Sequence, residues 1–322
     1  MILFFALALN ILRHIPIGGT DGWDYVTVDS EAHRLYVSHG TKVVVVDTAN
    51  GKVAGEIPNT EGVHGIAIDR ALRRGFVSDG RTSLVTVFDL DSLKTLAEIK
   101  TTGERPDAIL FDPFSSRVFT FNAAGKNSTV IDAATNAIAG TIPLGGKPEF
   151  AVSDGKGHVY VNVEDTSELA EIDAKALRVL RRWSLKPCEE PSGLAIDRAR
   201  GTLISVCENE QMVFSDIKSG KVTAGAPIGK GVDGVAFDPS SQLAYASNGA
   251  DGTITVVSAK DAKVIETLPT ARGARTIAID EKTHHLFLPT AKFGATPAAT
   301  PEHPRPRPAI VPDTFEVLEV GR

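Results

Sequence analysis

Short runs of apolar and β-branched residues alternate with polar turns along the whole chain. In one typical stretch these runs read GIAID, RGFVSD, LVTVFDL and TLAEIKT. The alternation, the abundance of Val and Ile, and the Gly, Asp and Asn residues between the runs predict β-strands. No helical period is sustained over such a stretch. The pattern therefore predicts an all-β protein built from groups of four strands.

The groups repeat at a nearly constant interval. An Asp that ends the first run of each group recurs every 40 to 43 residues, at Asp29, Asp69, Asp112, Asp154, Asp197, Asp238 and Asp280. A repeat of about 42 residues with four strands is typical of a β-propeller blade. The fold class predicted is an all-β, seven-bladed β-propeller with four-stranded blades.

The last group lacks a fourth run before the chain ends. The N-terminal segment LRHIPIGG is similar to AGTIPLGG, which forms the fourth run of the third group. We therefore expect the N-terminal strand to complete blade seven and close the ring. Closure removes the exposed sheet edges that would otherwise pair with other chains.

The repeated text GIAID, LYVS, VVVVDT and GKVAGEIP resembles the YVTN repeat of surface-layer-type and YncE-like seven-bladed propellers. The resemblance covers residues 11–322 and implies the same fold. Such propellers include ligand-binding proteins, electron-transfer domains, lactonases and lyases. The resemblance therefore implies no single function.

Composition and the N-terminus narrow the possible partners and location. The formal net charge is −6, so no nucleic-acid partner is expected. Residues 1–10 are apolar but too short to span a membrane, and they resemble a truncated signal or leader segment. We expect a periplasmic or extracellular monomer with no transmembrane span. The alternative is a cytosolic protein with a short apolar leader.

Polar residues occupy two sets of matched positions in the repeats. Because propeller loops alternate between two faces, both sets are expected on one solvated face, the first at the mouth of the central channel and the second further out. Five residues before each repeated Asp lie Asp24, His64, Asp107, Glu149, Ser192, Asp233 and Arg275. Ten residues after it lie His39, Asp79, Asn122, Glu164, Cys207, Asn248 and Thr290.

These two sets contain six carboxylates and one arginine, which predicts a ligand-binding mouth. Clustered like charges favour a bound cation, a positively charged ligand or a raised carboxyl pKa. The alternative is that the loops are polar only because they are solvated. The predicted ligand-binding residues are Asp24, His39, His64, Asp79, Asp107, Glu149, Glu164, Asp233 and Arg275.

A divalent metal ion is the one cofactor that the sequence suggests. His39, His64 and Asp24 are its predicted ligands, because imidazole and carboxylate groups bind transition metals. The same histidines could instead act as acid and base. The alternative is that they are hydrogen-bonded structural residues.

The two cysteines, Cys188 and Cys207, both fall in blade five on the mouth-bearing face. Because the protein is expected to be exported, we predict that they form a disulfide. The alternative is a pair of thiols used in redox chemistry or metal binding.

Blade seven carries a proline-rich insertion at residues 291–314. Such a segment is expected to be extended, and its position predicts that it projects from the mouth-bearing face. Arg305 and Arg307 could then reach the carboxylates as a lid. The alternative is a solvated loop.

Motifs for a serine or cysteine nucleophile, for phosphate binding and for haem attachment do not occur in the sequence. The leading interpretation is an exported, non-catalytic propeller that binds a small ligand, a metal ion or a partner protein through the acidic mouth. The first alternative is a metal-assisted lactonase or a lyase that uses the same mouth. A further alternative is a partner domain of a redox or secretion system.

Overall fold

The computed structural model describes residues 8–298, 300 and 308–322. Its strands are numbered along the chain and grouped here by blade. The first strand, β1 (Asn10–Pro16), belongs to the last blade. Blade one comprises β2 (Val26–Asp29), β3 (Arg34–His39), β4 (Lys42–Asp47) and β5 (Lys52–Pro58). Blade two comprises β6 (Val63–Asp69), β7 (Arg74–Asp79), β8 (Leu84–Asp89) and β9 (Thr95–Lys100).

The middle of the chain forms three more blades. Blade three comprises β10 (Pro106–Asp112), β11 (Arg117–Asn122), β12 (Asn127–Asp132) and β13 (Ile138–Pro143). Blade four comprises β14 (Pro148–Ser153), β15 (His158–Val163), β16 (Glu168–Asp173) and β17 (Arg178–Ser184), with a short 3-10 turn at Glu164–Thr166. Blade five comprises β18 (Pro191–Asp197), β19 (Thr202–Cys207), β20 (Gln211–Asp216) and β21 (Lys221–Pro227).

The last two blades complete the ring. Blade six comprises β22 (Val232–Asp238), β23 (Leu243–Asn248), β24 (Thr253–Ser258) and β25 (Lys263–Pro269). Blade seven comprises β26 (Ala278–Asp280), β27 (His285–Thr290), β28 (Glu316–Gly321) and β1. Within the described residues, no helix has the length and apolar character that a membrane crossing needs.

Each blade is a four-stranded antiparallel sheet, and the predicted seven-bladed propeller is confirmed. Six blades follow the chain order, while blade seven has the order β26, β27, β28, β1. The N-terminal strand pairs antiparallel with β28, from Asn10 opposite Gly321 to Pro16 opposite Glu316. The predicted closure of the ring is therefore confirmed. Of the predicted leader, residues 1–7 lie outside the described residues.

The repeated Asp has a structural role in the turn between the first and second strands. Asp69 is buried, and its Oδ1 accepts hydrogen bonds from the backbone N–H groups of Ala71 and Leu72. Asp197 accepts the same pair of bonds in blade five. An Asp side chain that bonds to backbone two and three residues ahead stabilises a tight turn. The repeated Asp residues therefore shape the face opposite the predicted mouth.

The apolar core lies between neighbouring blades. Phe119 and Val130 of blade three share a buried cluster with Val161 and Ala170 of blade four. Full burial of a Val or Phe side chain stabilises a fold by about 1.5–3 kcal/mol. The innermost strands also contact one another directly, as β6 does with β10 and β18 with β22. These contacts bring the first residues of successive blades together at one end of the channel.

Candidate functional site

The beginnings of the innermost strands enclose a cavity of about 440 Å³, called the cup below. Its lining side chains come from all seven blades and are mostly charged. The polar and aromatic ones are Asp24, Tyr25, His64, Arg105, Asp107, Lys147, Glu149, Glu164, Glu190, Ser192, Glu208, Asp233 and Arg275. Among the described residues, seven carboxyl groups thus face three permanent cations. The predicted acidic mouth lies at this end of the channel.

Serine side chains position the cup residues by linking adjacent blades. Ser78 Oγ accepts a hydrogen bond from Gly65 N at 2.8 Å and donates one to the backbone carbonyl of Asp107 in the next blade. A Cβ atom at Gly65 would lie 3.0 Å from Ile109 Cγ2, so a larger residue would push these strands apart. The cup is therefore held by the rigid inner strands.

One aromatic side chain, Tyr25, lines the cup. Tyr25 of blade one reaches Phe150 of blade four, and their ring centroids lie 5.1 Å apart in an edge-to-face arrangement. The Tyr25 hydroxyl donates to Glu149 Oε2 at 3.5 Å. Burial, together with the charges of Asp107 and Glu149, raises the pKa of Tyr25 well above its usual value. Tyr25 therefore remains a neutral hydrogen-bond donor at physiological pH.

Two of the three cations in the cup, Arg275 and Lys147, each form ion pairs with two carboxyl groups. Arg275 Nε lies 2.9 Å from Asp233 Oδ2, and its Nη2 lies 3.5 Å from Asp24 Oδ1. Lys147 Nζ lies 2.6 Å from Glu149 Oε1 and also pairs with Glu164. The acids still outnumber the cations around the cavity.

His64 bridges two aspartates. Its Nδ1 lies 2.6 Å from Asp24 Oδ2 and 3.5 Å from Asp107 Oδ1. Burial alone would lower the pKa of His64, but the hydrogen bond to Asp24 and the charge of Asp107 outweigh it and raise the pKa. The two aspartates therefore favour the protonated form of the imidazole.

Three carboxyl groups of the cup have raised pKa values. Burial and the charge of Asp24 raise the pKa of Asp233 to about 6. Burial and the charges of Asp24 and Asp233 raise the pKa of Asp107 to about 6, against the opposing charge of His64. Burial and the charge of Asp107 raise the pKa of Glu149 to about 9. Perturbed carboxyl groups that converge on one cavity are typical of functional sites.

Asp24, His64 and Asp107 could also hold a metal ion. One donor atom from each lies within 4.8 Å of the other two. One imidazole nitrogen and two carboxylate oxygens are ligands that divalent transition metals accept. The proton on His64 Nδ1 would have to leave before a metal bound there. The predicted metal ligands His64 and Asp24 thus lie together, and Asp107 joins them instead of His39.

The structure brings together seven of the nine predicted ligand-binding residues and places the other two elsewhere. Asp24, His64, Asp107, Glu149, Glu164, Asp233 and Arg275 line the cup. His39 and Asp79 are buried, so the prediction that these two are solvated mouth residues is wrong.

His39 packs inside blades one and seven. Its ring stacks on Phe315 with centroids 4.4 Å apart and an interplanar angle of 7°. A Cβ atom at Gly19 would lie 2.8 Å from His39 Nε2. Burial lowers the pKa of His39. Because Phe315 and Gly19 both pack against its ring, we interpret His39 as a structural residue.

Asp79 turns back into its own blade. Its Oδ2 accepts a hydrogen bond from Thr86 Oγ1 at 2.7 Å, and burial raises the pKa of this carboxyl to about 7. At the matched positions, Asn122 and Asn248 contact the equivalent threonines with the opposite polarity, since their Nδ2 groups donate to Thr129 and Thr255. Residues ten positions after the repeated Asp therefore stabilise the second and third strands of several blades. Glu164 is the exception that reaches the cup.

The predicted disulfide is confirmed. Cys188 and Cys207 are joined with a Cα–Cα distance of 5.5 Å, and both are fully buried. The residues that follow them closely, Glu190 and Glu208, line the cup. The bridge therefore connects the two segments of blade five that contribute acids to the site.

Five charged or aromatic residues of the cup were missed by the sequence prediction. They are Tyr25, Arg105, Lys147, Glu190 and Glu208. A signal for three of them exists seven residues before each repeated Asp, where four blades carry glycine and the other three carry Arg105, Lys147 and Glu190. Charged residues that replace glycine in a repeat would have indicated the site.

The base of the insertion packs beside the cup. Phe293 pairs with Ile310, and its ring lies 6.0 Å from that of Trp23, which also stacks on Phe315. The segment therefore leaves from the predicted face. Arg305 and Arg307, the predicted lid residues, lie outside the described residues.

Comparisons with known proteins agree with the fold. YncE of Salmonella typhimurium, a protein described as uncharacterised, is 24% identical over 280 residues, which cover 81% of this chain and 67% of that protein. YncE of Escherichia coli O157:H7 is 27% identical over 170 residues, or 48% of this chain and 46% of that protein. The resemblance to YncE-like propellers is thereby confirmed. No family model matches the sequence.

A solved structure shows the same architecture. A chain of Kuenenia stuttgartiensis hydrazine synthase aligns with a TM-score of 0.76, over 84% of this chain and 92% of that one. The two are 16% identical in sequence. This likeness shows the fold alone, and it carries no argument about chemistry.

Proposed function

We propose that this protein is a non-catalytic binding protein that takes a small cationic ligand into the cup. The observation that carries the proposal is that, among the described residues, seven carboxyl groups and only three permanent cations surround a cavity of about 440 Å³. Pockets for small molecules measure about 300–1,000 Å³. The ring of Tyr25 lines the cavity and provides an apolar surface for the body of the ligand.

The mutual effects of the carboxyl groups support this proposal. The charges of Asp24 and Asp233 raise the pKa of Asp107, although they come from different blades. A ligand cation placed between these groups would relieve their repulsion and lower their pKa values. Since the ionised site binds a cation more tightly, affinity should rise as the pH increases from about 5 to about 7.

Isothermal titration with hexylamine tests the proposal. Asp233→Asn should weaken binding about tenfold, the effect expected when one charged contact is lost. Glu56→Gln is the matched control, because Glu56 is an exposed carboxylate on β5 that pairs with Lys42, away from the cup. The control should bind as the unaltered protein does. If hexylamine, cadaverine and spermidine all fail to bind at about 10 mM, the proposal is wrong.

A divalent metal ion at Asp24, His64 and Asp107 is the second candidate, favoured by the 4.8 Å grouping of their donor atoms. Binding of Zn²⁺ would displace the His64 proton, so affinity should rise with pH and protons should be released. Titration with Zn²⁺ in two buffers of different ionisation enthalpy measures both effects. His64→Gln should abolish them, and His14→Gln, at an exposed histidine on β1, should not. Unchanged zinc affinity in His64→Gln would exclude this site.

The same metal site is what a lactonase or lyase activity would require. The discriminating measurement is turnover of a lactone panel with and without Zn²⁺. If turnover depends on Zn²⁺ and is lost in His64→Gln, the protein is an enzyme and the proposal of a non-catalytic binding function is wrong. A role as a partner domain in a redox or secretion system would instead be found as a stable protein complex.

We further propose a periplasmic or extracellular location and a monomeric state. The buried disulfide supports the location, because disulfides persist in oxidising compartments. Thiol labelling of denatured protein from fractionated cells measures the pairing, and light scattering measures the mass. Cytosolic protein with two free thiols would contradict the proposed location.

A further inference from the structure

A second cavity adjoins the cup between blades two and three. This groove measures about 800 Å³ and shares His64 and Arg105 with the cup. A Cβ atom at Gly80, on the groove wall, would lie 2.6 Å from His64 Nε2. The Nδ1 edge of the same imidazole faces Asp24 in the cup. The His64 ring therefore stands between the two cavities.

The groove has the opposite charge to the cup. Arg81, Lys100 and Arg105 line it, with Glu104 as the one acid among the described lining residues. Arg81 pairs with Glu61. Lys100 and Arg105 form no ion pair within the described part of the chain, whereas Lys147 and Arg275 in the cup are both paired. Side-chain hydroxyls of Thr82, Ser83 and Thr102 add further hydrogen-bonding groups.

The backbone at Arg105 is an independent observation. Arg105 has φ 56°, and at the matched position of the repeat Gly62 and Gly231 have φ 67° and 66°. Left-handed backbone is unfavourable for residues with a Cβ atom and easy for glycine. Four blades carry glycine at this position, while blade three places a guanidinium there despite the conformational cost. Glu190, at the matched position of blade five, shares this conformation with φ 49° and also lines the cup.

We propose that the groove binds an anionic group through Arg105 and Lys100. We also infer that the ligand is a zwitterion, with its cationic end in the cup and a carboxylate or phosphate in the groove. This second statement rests on the proposed function of the cup. Arg105 presents a planar, fixed charge suited to either anion. The imidazole of His64 lies between the two ends of such a ligand.

Titrations with matched probes test the two statements separately. Hexylamine carries only the cation, 6-aminohexanoate adds a carboxylate, 6-aminohexyl phosphate adds a phosphate, and inorganic phosphate carries only the anion. At least one bifunctional probe should bind about tenfold more tightly than hexylamine, the gain expected from one charged contact. The bifunctional probe with the larger gain identifies the anion.

Arg105→Gly is the decisive variant. It should remove the gain of the bifunctional probe over hexylamine. Hexylamine itself should bind as tightly or more tightly, because Arg105 is a cation that also lines the cup, and the melting temperature should be equal or higher, because glycine suits this backbone. Arg73→Gly is the matched control. Arg73 has φ 55°, is exposed and lies in the β6–β7 turn on the opposite face. The variant Arg73→Gly therefore also removes an arginine from left-handed backbone, and it should bind every probe as the unaltered protein does.

The outcomes distinguish the two proposals. If hexylamine binds but neither bifunctional probe binds more tightly, the zwitterion inference is wrong and the function of the cup stands. If inorganic phosphate binds the unaltered protein but not Arg105→Gly, and hexylamine does not bind, the anion site in the groove is supported and the proposed function of the cup is wrong. If Arg105→Gly lowers the melting temperature, the titrations are repeated with Lys100→Ala instead. If Lys100→Ala then binds the bifunctional probes as tightly as the unaltered protein does, the proposed anion site is wrong.

Discussion

Asp107→Asn should stabilise the protein at neutral pH, although it removes a charged residue from the proposed site. Burial and the charges of Asp24 and Asp233 raise the pKa of Asp107 from 3.8 to about 6. A carboxyl whose pKa is raised on folding favours the folded state below its unfolded pKa. That advantage is lost as the pH rises from about 4 to about 6, because the unfolded state then releases its proton more readily.

The structure gives the magnitude. A tenfold change in ionisation corresponds to 1.36 kcal/mol, so the ionised carboxyl at Asp107 costs about 3 kcal/mol of folding free energy at pH 7.5. This cost already includes the attraction between the carboxylate and His64, 3.5 Å away, so the amide would recover all of it. We therefore expect a net stabilisation of about 3 kcal/mol, or a rise in melting temperature of about 4–5 °C.

Differential scanning calorimetry at pH 7.5 and at pH 5 measures the effect. At the lower pH the unaltered carboxyl is mostly protonated, so the difference between the proteins should shrink. Glu56→Gln is again the control and should shift the melting temperature little at either pH, since exposed ion pairs contribute under about 1 kcal/mol. A destabilised Asp107→Asn at pH 7.5, or the same difference at both pH values, would refute the reasoning.

Three other changes test the scaffold. Deleting residues 1–18 removes β1 and the buried Ile15, and should lower the melting temperature by at least about 5 °C; a change within one or two degrees would contradict closure by this strand. The double variant Cys188→Ala/Cys207→Ala should lose about 3 kcal/mol of unfolding free energy in urea titrations, as expected for a closed loop of about 20 residues, and full retention would contradict a stabilising bridge. Replacing residues 295–308 with a short Gly/Ser turn should leave the melting temperature unchanged within about 2 °C, because the Phe293–Ile310 pairing is kept; a larger loss would mean that the replaced segment stabilises the fold.

The repeat predicted the scaffold because each blade solves the same packing problem with the same residues. The recurring Asp bonds to the first turn of the blade, and its regular spacing was enough to locate the strands and the closing role of β1. The same spacing located the inner set of mouth residues, since the first strands of all blades converge on the channel. The Cys188–Cys207 pairing followed from the common face of the two residues.

The direction of a side chain at a strand end could not be predicted in this way. His39 and Glu164 follow the same spacing, but His39 is covered by Phe315, which is distant in sequence, while Glu164 meets Lys147 in the cup. Tyr25 likewise meets Phe150 of blade four across the ring. These outcomes depend on which segments meet across the ring, and a single repeat unit contains no information about that.

The pairing of β1 with β28 also fixes how the propeller responds to attachment and to force. Asn10 lies opposite Gly321, and Leu9 and Arg322 both border the cavity around His284 on the face away from the cup. A tether joined at either of these ends would therefore present the cup outward, away from the surface that holds it. Tension applied between the same two ends would break the hydrogen bonds of the pair one after another, as in a zipper, instead of loading them together in shear. Blade seven is thus the blade in which tension between the two ends would first separate a pair of strands.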